Sequence, residues 1–202
     1  PEGKGGEHVH LSEWRNESKS YINPRRPGGI SPDPDNDPPV VQWVNLAPPD
    51  INPLEGYPVG IPKIDGGEIL SGVVGLWVNV YDRPSSQPRP PWDHIRLSPT
   101  VVTWWLRTPG GAMVLSPKTV VDFRYRFWRT PLTGVYAPGT VQNGPRQVGN
   151  YNVWLEKRLD TNLISDGIYV LVVRASDAAG NTIRRNFPIR IVNRTSDAVL
   201  NG

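Results

Sequence analysis

From residue 40 onward, apolar and polar positions alternate with a period of two. In "SGVVGLWVNVYD" (residues 71–82) the pattern places Val74, Leu76, Val78 and Val80 on one face. In "TVVDFRYRFW" (119–128), Val121, Phe123, Tyr125 and Phe127 alternate with charged or polar neighbours, and "TIRRNFPIRIVN" (182–193) aligns Phe187, Ile189 and Ile191. Together with "VVQWVNL" (40–46), "TVVTWWLR" (100–107), "YNVWLEKR" (151–158) and "DGIYVLVVRASDAAGN" (166–181), these make seven candidate strands separated by Gly/Pro turns. Strict alternation implies strands buried on one side. Seven of them predict an all-β fold, a two-layer antiparallel β-sandwich over residues 40–194.

Composition sharpens this picture. The chain has 23 prolines and 20 glycines in 202 residues, so uninterrupted helices are close to excluded and much of the chain is loop, turn or extended arm. Residues 1–30 are polar and read as an extended N-terminal arm. Residues 31–39, "SPDPDNDPP", form an acidic linker in which each proline biases its predecessor to extended geometry. Residues 195–202 read as a tail. There are no cysteines, which removes disulfides and thiolate metal sites. The net charge is +3, but the arginines are scattered rather than blocked, so no nucleic-acid partner is expected. No apolar run approaches the ~18 residues of a membrane helix.

Two stretches carry a resemblance. "DGIYVLVVRASDAAGN" resembles the last hairpin of bacterial extracellular Ig-like and cadherin-like modules, and "SGVVGLWVNVYD" resembles their second strand. The resemblance implies an Ig-like sandwich and a bacterial extracellular or cell-surface location. Tyr169, near the start of its strand, matches the position of a tyrosine corner, whose hydroxyl bonds back to the preceding loop. Two long insertions, residues 46–68 and 130–150, depart from compact members of that group.

The acidic linker resembles the calcium-binding inter-domain linker of cadherins. Asp33, Asp35, Asn36 and Asp37 are its oxygen donors, and Asp82 and Asp177, closing two strands, are candidates to complete the site. Calcium takes six to eight oxygens, more than one short peptide supplies. A stiff, soluble spacer is the alternative.

The N-terminal "GGEHVHLSEWRNESKSYINPRRPGG" holds two of the chain's three histidines, at His8 and His10. On a strand, an H-x-H step points both rings to one face. The stretch resembles the closing segment of lysostaphin-like (LytM-type) zinc endopeptidases of peptidoglycan, a G-x-H-[LV]-H pattern followed by a hairpin and Asn-Pro. By that resemblance His10 is a zinc ligand, and His8 stands beside the zinc-bound water as general base or as a stabiliser of the tetrahedral intermediate. A catalytic zinc site needs three protein ligands. The H-x(3)-D segment that supplies the other two in that family does not occur in these 202 residues. Zinc is therefore expected only in an intact parent protein, with residues 1–30 as a remnant of its peptidase domain.

Among the aromatics, Trp92, Trp104, Trp105 and Trp128 are candidates for a glycan-stacking surface, although adjacent Trp104 and Trp105 on a strand must face opposite ways. Asp93, His94 and Ser98 lack the surroundings of a hydrolytic triad. Asn16 and Asn193 sit in glycosylation sequons. The function expected from these features is a non-catalytic accessory module, wall-binding or domain-orienting, from the C-terminal region of a secreted cell-wall metallopeptidase. Its expected partners are cell-wall glycan or peptidoglycan and neighbouring domains. The alternative is an adhesive or filament subunit whose N-terminal arm pairs with a neighbouring copy in a homo-oligomer.

Overall fold

The computed structural model describes residues 13–17, 19–24, 28–30, 35–49, 63–64, 67–85, 89–91, 93–124 and 132–193. His8, His10, Asp33, Trp92 and Trp128 lie outside the described residues. The fold is all-β. Among the described residues the only helical elements are a four-residue α-helix, α1 (Leu132–Val135), and a 3-10 turn at Thr161–Leu163.

A small hairpin comes first, β1 (Glu13–Arg15) against β2 (Ser20–Ile22), with Trp14 and Tyr21 directly opposed and their rings 5.0 Å apart edge to face. The remaining strands form two sheets. One runs β4-β3-β6-β9, from β3 (Val40–Ala47), β4 (Lys63–Ile64), β6 (Val73–Tyr81) and β9 (Asn152–Asp160). The other runs β5-β11-β10-β7-β8, from β5 (Glu68–Leu70), β7 (Val101–Arg107), β8 (Met113–Asp122), β10 (Gly167–Ser176) and β11 (Thr182–Ile191). All pairings are antiparallel except β5 with β11, which is parallel.

The alternating apolar residues of both sheets meet in one core. Val74, Leu76, Val78 and Val80 from β6 pack with Trp104 and Leu106 from β7, Leu171 and Val173 from β10, and Phe187, Ile189 and Ile191 from β11. Each large apolar side chain buried this way contributes about 1.5–3 kcal/mol before ordering costs. Tyr169 caps one end of β10. Its hydroxyl donates to the Ser165 carbonyl at 2.6 Å.

β6 departs from the one-sided burial that its alternation predicts. Every residue from Val74 to Tyr81 is buried. The reason is the insertion at residues 130–150, whose described part lies over the outer face of the four-stranded sheet. There Ala137 packs with Ala47, Trp77 and Trp154, and the two indoles meet edge to face at 5.0 Å. Asparagine side chains beneath this lid bond to one another and to its backbone. Asn79 Nδ2 donates to the side-chain oxygens of Asn150 and Asn152 at 2.7 and 2.8 Å, and Asn152 Nδ2 donates to the Pro138 carbonyl at 2.8 Å.

β8 also differs from its predicted span. It begins at Met113 and ends at Asp122, rather than running over residues 119–128. Bulges on its pairing with β7 break the simple alternation.

Candidate metal centre

Three carboxylates from distant parts of the chain converge. Asp35 lies in the linker, Asp82 directly follows β6, and Asp177 directly follows β10. One oxygen from each lies within 4.8 Å of the others. Asp82 and Asp177 are buried, at 5% and 4% exposure.

Local chemistry fixes each of them. Asp82 continues β6 by a two-way backbone bridge to Leu97, 2.8 Å in each direction, and its Oδ1 accepts from the Arg83 amide at 2.8 Å. Asp177 closes the β10–β11 turn. Its Oδ1 accepts from the amides of Gly180 and Asn181 at 2.7 and 2.9 Å, and its Oδ2 accepts from Asn181 Nδ2 at 2.9 Å. Gly180 holds φ +99°, a conformation side chains with a Cβ rarely adopt, so the glycine is what lets this turn wrap a carboxylate.

Asp35 is brought in from the linker. Its carbonyl accepts from Asn181 Nδ2 at 2.9 Å, while its Oδ1 accepts from the Asp37 amide at 3.2 Å. That second bond is an Asx turn. Asp37, on its far side, is exposed and does not join the three, and Asn36 is exposed as well. Among the described residues, the structure thus brings together Asp35, Asp82 and Asp177 of the oxygen donors expected from sequence.

Buried charges are normally paired or bound to a metal. Among the described residues, neither Asp35 nor Asp177 forms an ion pair with a Lys, Arg or His. At an effective dielectric constant of about 20, unit charges ~4.8 Å apart repel by roughly 3 kcal/mol per pair. A bound cation would reverse the sign of that term. The all-oxygen donor set, without His or Cys, could hold a hard metal ion.

The other candidates resolve differently. Trp104 is buried at 3% and belongs to the core, so it offers no stacking face for a glycan. Trp105, half-buried, points the other way. Ser98 accepts from the Tyr136 hydroxyl at 2.9 Å, and His94 Nδ1 lies 3.0 Å from Asp93, so the three do not form a relay. Asn193 spends its amide inside the fold: Nδ2 donates to the carbonyls of Thr161 and Ile164, and Oδ1 accepts from Thr161 Oγ1 at 2.8 Å. A glycan on that nitrogen would leave it a single N–H and so remove at least one of the donated bonds. Asn181, which links Asp35 to Asp177, was missed from sequence. The signal was its place at the end of the "SDAAGN" turn beside a strand-ending aspartate.

No known protein-family model matches the chain, and a comparison with curated proteins finds no match.

Proposed function

We propose that this chain is a calcium-tied, non-catalytic Ig-like module that holds its N-terminal neighbour at a set orientation. It would serve as the accessory part of a secreted cell-wall metallopeptidase. The observation that carries the reading is the convergence of linker Asp35 with Asp82 and Asp177. A cation there joins the linker to the end of the sandwich, because one ligand belongs to the linker and two to strand ends.

Two features support the Ig-like assignment. The Tyr169–Ser165 bond has the form of a tyrosine corner, and the β10–β11 hairpin occupies the centre of the five-stranded sheet. Calcium is favoured over magnesium because carboxylates brought together from a linker and two strand ends suit its larger, less regular shell. The peptidase origin rests on the likeness of "GGEHVHLSEWR", whose last three residues form β1 of the β1–β2 hairpin.

Thermal melting in EDTA against millimolar calcium tests the cation. At ten times its dissociation constant calcium adds ~1.4 kcal/mol, a rise of roughly 3–6 °C for a chain of this size. Asp177→Asn should abolish the rise. Identical midpoints in the parent chain would remove calcium from the reading. The peptidase origin stands or falls on an H-x(3)-D segment in the reading frame that precedes residue 1.

A further inference from the structure

The outer face of the five-stranded sheet carries a groove of about 520 Å³ lined by Trp105, Arg107, Met113, Pro117, Arg174 and Arg184. Its volume lies within the ~300–1,000 Å³ usual for ligand sites. The parity of the strands puts these side chains outward. Trp104, Leu106, Leu171 and Val173 point into the core, so their neighbours Trp105, Arg107 and Arg174 point away from it.

Three observations make this face unusual. Arg174 and Arg184 are register partners, directly across β10 and β11. Like charges in that position repel and cost stability. No outward position of β7, β10 or β11 is an Asp or Glu, and none of the three groove arginines is in an ion pair among the described residues. Finally, Arg107 Nε is buried with no hydrogen-bond partner. Guanidinium donors that face no carboxylate, with one donor already shielded from water, are matched to an anion arriving from outside.

Beside the cations stands an indole. The Arg184 guanidinium lies 6.0 Å from the Trp105 ring centroid, and Met113 is 53% exposed at the groove rim. An aromatic plane takes the apolar face of a sugar ring, while the arginines take an acid group on the same or the next sugar.

We propose that this groove binds an anionic glycan, a saccharide chain carrying recurrent carboxylate or phosphate groups. The choice of a surface polymer rests on the accessory-module reading, whereas the groove itself shares no residue with the aspartate centre.

The test is titration calorimetry of the intact chain in low salt. The probes are an oligogalacturonate, a phosphomannan, a dextran of matched length and a single-stranded DNA oligonucleotide. Binding of either acidic glycan at least tenfold tighter than dextran and DNA is expected, and which one binds identifies carboxylate or phosphate as the recognised group. Arg174→Ala/Arg184→Ala, two exposed positions whose loss relieves repulsion, should weaken it by about tenfold or more. Trp105→Ala should weaken it independently, with a melting midpoint of the arginine variant no lower than the unmutated chain's as the folding control. Equal binding of dextran, tighter binding of DNA, no binding of either acidic glycan, or affinity unmoved by the arginine pair would each overturn the assignment. A chain that ignores calcium in melting yet binds the acidic glycan loses the cation and keeps the groove. The opposite result separates them the other way.

Discussion

At the scale of single residues, the most informative side chains are polar ones that hold backbone in place. Tyr169 is 7% exposed, and its phenol donates to Ser165 in the loop ahead of β10. Removing the hydroxyl alone leaves the Ser165 carbonyl without that donor. Tyr169→Phe should therefore lower unfolding free energy by about 1 kcal/mol in urea titration, with the glycan affinity unchanged. Residue type and position singled out Tyr169, Asp82 and Asp177, because each sits where a strand starts or stops. It did not separate Asp35 from Asp37. Asp35 accepts the Asp37 amide in an Asx turn, and such a turn depends on backbone geometry that composition does not encode.

Between residue and molecule stand the strands and the lid. β3, β6, β7, β9, β10 and β11 were legible because their alternation is long enough to override local noise. β4 and β5 were not, since two or three residues carry no period. The parallel pairing of β5 with β11 joins positions more than a hundred residues apart, and nothing local specifies it. β8 is an edge strand with Pro117 and Lys118 in its middle. Such residues discourage pairing with another chain, so this edge gives no help to a filament-forming reading.

The lid over β6 was read only as an insertion, and its covering role emerges from packing. It also yields a pH signature. Burial is the main cause that raises the phenols of Tyr136 and Tyr151 above their ordinary value. Tyr151 is pushed further by Tyr136, and hydrogen bonds from Asn143 to Tyr151 and between Tyr136 and Ser98 oppose the shifts. A raised phenol is protonated in both states below about pH 10, so its contribution to stability is intact there. Above that, the unfolded chain ionises first and the contribution is lost as pH rises through the folded values. Phenolate absorbance should show two tyrosines titrating late, with stability falling over the same alkaline range. Two phenols titrating normally in the folded chain would mean that the lid does not cover them.

Across the whole molecule, the two proposed sites divide the labour. The aspartates lie where the linker meets the sandwich, and the arginine groove lies on a sheet face. The three aspartates that converge were among the candidates from sequence, because acidic residues at strand ends are conspicuous. The groove was not. Arg107 lies more than sixty residues before Arg174 and Arg184, and the three come together only through the register of β7, β10 and β11. Of the two described tryptophans proposed for a glycan surface, Trp105 contributes to it and Trp104 does not.

The last hairpin holds the incoming chain twice. Asn181 Nδ2 donates to the Asp35 carbonyl, and Arg185 Nη1 donates to the carbonyls of Val41 and Gln42 in β3. Tension arriving through the linker would therefore pass straight to β11, along its length, and leave the core between the sheets unloaded until those ties part. A cation at the three aspartates would act on this path as a rivet. It would set how hard the neighbouring domain can be pulled before the module begins to open.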